Sequence, residues 1–476
     1  MGMTLCNKSK DVSFIMLCIC MAHVMFFGTA AFLFAGRISL WHILVALTVF
    51  AAIPAVIRNF RSIFTNAYFY ALVAFAAWLI VAAVIGRGND HGMAYIVRDM
   101  KSFAYLALFP VVMCIIRDRE RVQLLLKFAM YASFALSVLT ACFMLMYILA
   151  PETSRTLLRL FWRLDFINFT QISPQLARVL FVSTPFQMFG CGIPFYFQAK
   201  GSRFSWLYPI ITGLGLFSVL ISYTRALYLA TFVAAAAVMV LTLVAVGREG
   251  RKRIWLHIGV SVGVLLTVTL ILSALAKFNY MGYAVQRVFV TGQQKEYFEP
   301  DGDDTTKDGE KGEGQEENIP DKSTTEIIIP EFNDGDSYLE ATKASDATRE
   351  ALKVGLLKEI KKSPIIGNGL GLTVNGRESL PELFIYDLVA KAGLIGLLLY
   401  LAPFLMAVAV CIRSIKKHTH FLELYIWTGC TAGLFAYSCF QPYMNNAPCM
   451  MIYSCLMCIA LLQSGDLRKK NMEEQI

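Results

Sequence analysis

Between Trp206 and Val246 about forty residues carry a single charge, Arg225, within Ile221-Ser-Tyr223-Thr-Arg225-Ala-Leu-Tyr-Leu-Ala. The stretch is long enough for two membrane-spanning helices of about 20 apolar residues each, which places Arg225 at the hairpin joining them. A guanidinium stays charged at a bilayer edge, and its rigid fork of donors suits phosphate or carboxylate oxygens. The alternative is an arginine that caps the hairpin and snorkels to lipid headgroups. A second reactive position is Glu382, at the start of an apolar run. Nearby Asp387 and Lys391 are spaced i, i+4 and can pair on a helix surface, whereas Glu382 has no such partner. A carboxylate of this kind can accept a proton at neutral pH.

A third group lies in 151–174, where Arg155, Arg159, Arg163 and Asp165 alternate with Leu157, Leu158, Phe161, Trp162, Phe166 and Phe169. A basic amphipathic segment with Trp lies in the headgroup plane, or it lines the entry of an anionic lipid and stacks on sugar rings. Arg98 and Lys101 sit similarly, just before the apolar run at 102–116. Asn168-Phe-Thr170 fits a glycosylation sequon, a short pattern that carries little weight by itself.

The elements that position these residues follow from composition. Hydrophobic residues make up 57% of the 476 and charged residues 16%, with a mean hydropathy of +0.56. Such a chain is a polytopic, all-α integral membrane protein. Apolar runs fall at roughly 13–35, 39–57, 66–86, 102–116, 123–149, 177–197, 206–222, 226–246, 254–275, 382–412, 421–440 and 445–463. They predict about twelve spans, the first being a span and not a cleaved leader. Alternate connections carry the Lys and Arg: residues 8 and 10, 58 and 61, 117–121, 200 and 203, 248–253, 413–417 and 468–470. All fall on one side when twelve spans are threaded, so both termini are expected in the cytoplasm. The chain divides into spans 1–9 (1–275), a large external loop (276–381), and spans 10–12 with a cytoplasmic tail (382–476).

Within that loop, residues 296–340 hold sixteen Asp or Glu against three Lys, a net of −13 in a chain of +9. This piece is expected to be disordered. Asp301, Asp303 and Asp304 only faintly resemble a calcium loop, since Thr305 and Thr306 stand where a ligand and a glycine belong. No metal or cofactor is expected, nor nucleic acid as a partner. The twelve Cys lie almost all within spans and form no disulfide framework. From Asp346 an amphipathic helix is predicted with Leu352, Leu356, Leu357 and Ile360 as its stripe, ending at Ser363-Pro364. Gly367-Asn-Gly369-Leu-Gly371 follows without the Lys-Ser/Thr of a phosphate loop, and is expected to let the backbone turn sharply. The next helix, 380–413, exceeds what a bilayer needs, so its first turns stand at the external interface.

The order of these features resembles the O-antigen ligase and O-antigen polymerase (Wzy-type) superfamily. Ser222-Tyr-Thr-Arg225-Ala-Leu is similar to its Ser-Arg-Gly/Ala-hydrophobic motif. A large external loop follows one span later. It closes with Arg349 before Ser363-Pro-Ile-Ile-Gly-Asn-Gly-Leu-Gly, similar to the family's Arg … Pro-Leu-x-Gly-x-Gly. Pro381-Glu382-Leu … Lys391-Ala-Gly-Leu-Ile-Gly is similar to its His-Asn … Glu-x-Gly-Leu-Ile-Gly. The resemblance covers roughly 206–412. Glu382 stands where the ligases have His, Leu383 where they have Asn, and Lys391 where they have Glu, which favours polymerase over ligase.

The resemblance implies a GT-C-like membrane glycosyltransferase in the bacterial cytoplasmic membrane, acting on the external face without metal. Its donor would be an oligosaccharide on undecaprenyl pyrophosphate, with a flippase and a chain-length regulator as candidate partners besides membrane lipids. Breaking a glycosyl–pyrophosphate bond puts negative charge on the leaving group, and preorganised cations stabilise it. Arg225 and Arg349 are the implied clamp, Arg287 a third cation, and Glu382 the base. Tyr223, Arg98, Arg159, Trp162 and Arg163 are further candidates for contact with substrate. A flippase or secondary transporter, or an envelope scaffold, are the readings from other classes.

Overall fold

The computed structural model describes residues 11–28, 33–34, 38–164, 166–171, 177–201, 205–289, 335–374, 377–378, 383–419, 421–441, 444 and 446–473. The principal helices are α1 (Val12–Phe27), α2 (Leu40–Arg58), α3 (Ala67–Gly88), α4 (Met93–Phe103), α5 (Phe109–Ile115), α6 (Arg119–Leu149) and α7 (Pro151–Arg163). After a hairpin of β1 (Ile167–Gln171) and β2 (Ala177–Phe181) come α8 (Gln187–Ala199), α9 (Leu207–Ile221), α10 (Arg225–Ala245), α11 (Arg248–Ala276) and α12 (Tyr280–Phe289). The chain closes with α13 (Gly335–Lys362), α14 (Phe384–Lys416), α15 (Leu422–Ser438) and α16 (Ala447–Glu473).

This is an all-α multi-pass membrane protein. Among the described residues, seven helices are long and apolar enough to cross a bilayer: α2, α3, α6, α10, α11, α14 and the Ala447–Asp466 part of α16. α1 and α9 are apolar but shorter. In lipid every backbone group must be satisfied within the protein, which is why helices dominate. α15 and α16 sit deepest, with Trp427, Tyr425, Ile452 and Leu456 all fully buried.

Several segments differ from the hydropathy expectation. The first apolar run leaves the helix after Phe27, where Gly28 takes φ +73° against Val182. The run at 102–116 is interrupted by a 3-10 turn, Ala104–Leu108. The run at 177–197 starts as strand β2, paired antiparallel with β1 from Ile167↔Phe181 to Gln171↔Ala177. The loop helix begins at Gly335 rather than near Asp346, so the last residues of the acidic piece are helical; its earlier part, 296–334, lies outside the described residues. Leu352, Leu356 and Ile360 pack inward with Leu372, Val374 and Ala390, but Leu357 is 38% exposed and leaves the stripe.

Helix α14 is two helices. Gly393 takes φ 68°, ψ −177°, and three carbonyls and two amides beside this break find partners outside the helix. The carbonyls of Ala390 and Lys391 accept from the amides of Asn368 and Gly369 at 2.9 Å each, and the Ala392 carbonyl accepts from Trp78 Nε1 at 2.7 Å. The amides of Leu394 and Ile395 donate to the carbonyls of Pro364 and Ile365. Gly367, Gly369 and Gly371 take φ +85°, +93° and +80°, as the expected sharp turns require. The break stitches the glycine segment into the bundle. Farther along α14, Pro403 lacks an amide hydrogen, and the Tyr453 hydroxyl enters the ladder beside it. That hydroxyl donates to the Tyr400 carbonyl and accepts from the Phe404 amide.

One end of the bundle gathers Asp11, Arg119, Arg121, Lys200 and Glu423, all from connections that carry Lys and Arg. The Arg253 guanidinium lies against Gly201 at the same end. Glu423, with no exposed side-chain surface, accepts from Arg119 Nε and Nη2 at 2.9 Å each, from Gln123 at 2.9 Å and from the Tyr196 hydroxyl at 2.6 Å.

Candidate functional site

The opposite end carries the 222–225 turn. α9 ends at Ile221, and the Ser222 hydroxyl turns back to the Val219 carbonyl at 2.6 Å. Tyr223 takes φ +46°, a left-handed conformation uncommon outside glycine and costly for a bulky side chain. Its ring is buried and meets Tyr283 of α12 edge-on, with centroids 5.0 Å apart and planes at 87°. Thr224 is the extended N-cap residue of α10, and Arg225, half-buried, is its first helical residue.

A residue outside the sequence candidates holds this turn. Arg178, on β2, donates from Nε to the Ser222 carbonyl at 3.0 Å and from Nη2 to Thr224 Oγ1 at 3.1 Å. Arg178 and Arg349 both act electrostatically on the Tyr437 hydroxyl, near the end of α15. The β-hairpin and α12 therefore meet at the 222–225 turn through Arg178 and Tyr283, and Arg225 opens α10 there. Arg178 and Tyr437 come unannounced. Their only signal was a charge or a phenol inside an apolar run, which composition treats as incidental.

The remaining candidates divide: some lie on α7 and α12, which pack in the same hydrophobic cluster as Tyr223, and others do not. Arg287 lies on α12, the helix that reaches the turn through Tyr283, but its side chain is outside the described residues. The same holds for the side chains of Arg155, Arg159, Trp162 and Arg163 on α7, whose apolar face packs through Leu158 and Phe161 against Phe143, Phe166 and Phe181. Glu382 lies outside the described residues altogether. Arg98 is exposed, with its guanidinium 5.3 Å from the centre of the Tyr95 ring, on the helix that carries Asp99. Tyr280, at the start of α12, is fully buried, and that burial, with Tyr147 nearby, pushes its phenol up to about 12.

Asp387 and Lys391 do pair, at 2.9 Å, but not on a surface. Lys391 is 4% exposed and also binds Asp99 at 3.0 Å, while the other Asp99 oxygen accepts from the Gly371 amide at 2.7 Å. Paired and hydrogen-bonded, the triad satisfies the condition for burying charge and fastens α4 to the glycine segment and α14. The glycine segment has no amide to offer a phosphate. Those of residues 367–371 go to Ser363, Ala390, Lys391, Ala82 and Asp99.

Chemically, the convergent end supplies guanidinium groups and phenols, the donor set for a phosphorylated ligand that also carries hydroxyls. No family model matches the chain, and neither a curated protein nor a solved structure matches it.

Proposed function

We propose that the chain is a membrane glycosyltransferase that polymerises oligosaccharide repeat units carried on undecaprenyl pyrophosphate, at the external face of a bacterial cytoplasmic membrane. The observation that carries the reading is the 222–225 turn, which Arg178 clamps and from which Arg225 opens α10, at the end of the bundle opposite the Lys- and Arg-rich connections. The positive-inside rule puts those connections, and both termini, in the cytoplasm and this turn outside. The order of motifs between 206 and 412, similar to that of the O-antigen polymerase and ligase superfamily, supplies the substrate class.

In this account Arg225 and Arg349 hold the pyrophosphate. An acceptor sugar hydroxyl attacks the anomeric carbon of the donor, the new glycosidic C–O bond forms, and the bond to pyrophosphate breaks. The electron pair leaves with undecaprenyl pyrophosphate, where the guanidinium groups meet the added charge. The hydroxyl proton passes to Glu382. A ligase differs only in its acceptor, a core oligosaccharide in place of a growing chain. A transporter is disfavoured by α14: broken helices in transporters line a substrate cavity, whereas the groups freed at Gly393 are taken up by residues 364–369 and Trp78.

The test is Arg225→Ala and Arg225→Lys in the host, at matched membrane levels, with surface polysaccharide resolved on a gel. The proposal expects both variants to lose the long-chain ladder and keep single repeat units. Lysine fails because it lacks the planar fork. An intact ladder in Arg225→Ala would reduce Arg225 to a headgroup anchor.

A further inference from the structure

We propose that Arg178 is a positioning residue of the pyrophosphate site, acting through the turn that delivers Arg225. The inference rests on the function proposed above and adds to it a residue that the motif resemblance does not contain. Arg178 comes from a different element, β2, and its fork spans both ends of the turn: the Ser222 carbonyl and the Thr224 hydroxyl. The turn needs such a clamp. Tyr223 holds a left-handed backbone that a bulky side chain adopts only when its surroundings impose it. Arg178 supplies one side of that constraint and the Tyr283 ring the other. Thr224 Oγ1 itself donates to the Ser222 carbonyl at 3.0 Å, so the same two groups are tied twice. Because Thr224 is the residue before the first of α10, fixing it fixes where that helix begins and hence where the Arg225 backbone stands.

A guanidinium anchored to neutral acceptors also keeps its full charge for the surroundings. Lysine could not replace it: one ammonium cannot reach two acceptors in the geometry of a planar fork.

The experiment measures binding of inorganic pyrophosphate to the purified full chain in nanodiscs by calorimetry, with melting temperatures of the same samples. Arg178→Ala, Arg178→Lys, Thr224→Val and Arg225→Ala are compared with wild type. Thr224→Val keeps every charge and nearly the same volume while removing one acceptor of the clamp. It also keeps the test decisive if Arg178→Ala fails to fold. The proposal expects Arg178→Ala to bind about ten-fold or more weakly, the scale of a lost charge-assisted hydrogen bond, and Thr224→Val to weaken binding several-fold. Arg178→Lys should stay well below wild type although the charge is kept.

Wild-type affinity in both Arg178→Ala and Thr224→Val would overturn the inference and leave the proposed function standing. Weak binding in Arg178→Ala with wild-type affinity in Thr224→Val would make Arg178 a direct ligand, and also overturns the positioning role. A wild-type protein that does not bind pyrophosphate would overturn the proposed function itself, and with it this inference.

Discussion

At the scale of single residues, the two ends of the bundle use charge differently: Arg119 and Arg121 meet carboxylates, whereas Arg178 binds a carbonyl and a hydroxyl. Glu423 is buried among four polar residues, Arg119, Gln123, Tyr196 and Lys200, whereas its main partner Arg119 is 42% exposed and also lies 4.5 Å from the centre of the Phe421 ring. The asymmetry gives a prediction. Arg119→Ala strands a buried carboxylate and should lower stability by about 3 kcal/mol, while Glu423→Gln keeps a hydrogen-bonding group and frees an arginine that can reach water. Thermal unfolding in detergent should rank Arg119→Ala as the worse of the two; the reverse order would contradict this account.

Asp11 gives a pH-dependent counterpart. Burial alone would raise its carboxyl, but the Ser13 hydrogen bond and Arg121, 3.0 Å away, outweigh it and hold the group below the ordinary carboxylate value. A carboxyl depressed by folding adds stability that is present above its unfolded value of about 4 and is lost as the pH falls through the depressed one. The melting temperatures of wild type and Asp11→Asn should therefore converge on acidification from about pH 6 to about pH 3. A gap constant over that range would show that Asp11 acts without its charge.

At the scale of elements, what was legible in the sequence depended on whether a pattern had a period. The stripe Leu352, Leu356, Ile360 announced its helix, and Gly367, Gly369 and Gly371 announced turns that only glycine makes easily. The break at Gly393 was silent, because the apolar run continues through it and the groups that satisfy it come from residues 364–369 and Trp78. Arg178 was hidden in the same way: the 177–197 run is apolar enough to pass for a span, and only pairing with β1 makes its start a strand. Lys391 and Asp387 showed their spacing but not Asp99, which arrives from a distant helix. One prediction belongs here. A Cβ on Gly369 would lie 2.1 Å from the Gly86 amide nitrogen at φ +93°, whereas a Cβ on Gly259 meets nothing within 4 Å. Gly369→Ala should abolish the monodisperse peak of a fluorescent fusion on size exclusion, and Gly259→Ala should leave it intact. Equal profiles would mean that the glycine segment is not held against α3.

At the scale of the whole molecule, hydropathy made the membrane class plain, whereas the ion pairs of Asp11 with Arg121 and of Lys200 with Glu423 left no mark in it. The assembly of the opposite end was not legible, because β2, the 222–225 turn and α12 are distant in sequence and contribute one or two side chains each. Sidedness can be tested directly. An epitope inserted at 308–312, within the acidic piece, should be reached by antibody on intact spheroplasts, and labelling only after permeabilisation would invert the topology and remove Arg225 from the external face.

The central claim is tested most directly by reconstituting the purified chain in proteoliposomes with repeat units on undecaprenyl pyrophosphate and following the length of the lipid-linked glycan. The account predicts chains of two or more units with release of undecaprenyl pyrophosphate by wild type, and a rate lower by about two to three orders of magnitude in Arg225→Ala, as when a preorganised donor to a developing negative charge is removed. Substrate left as single units by the wild-type protein would contradict it.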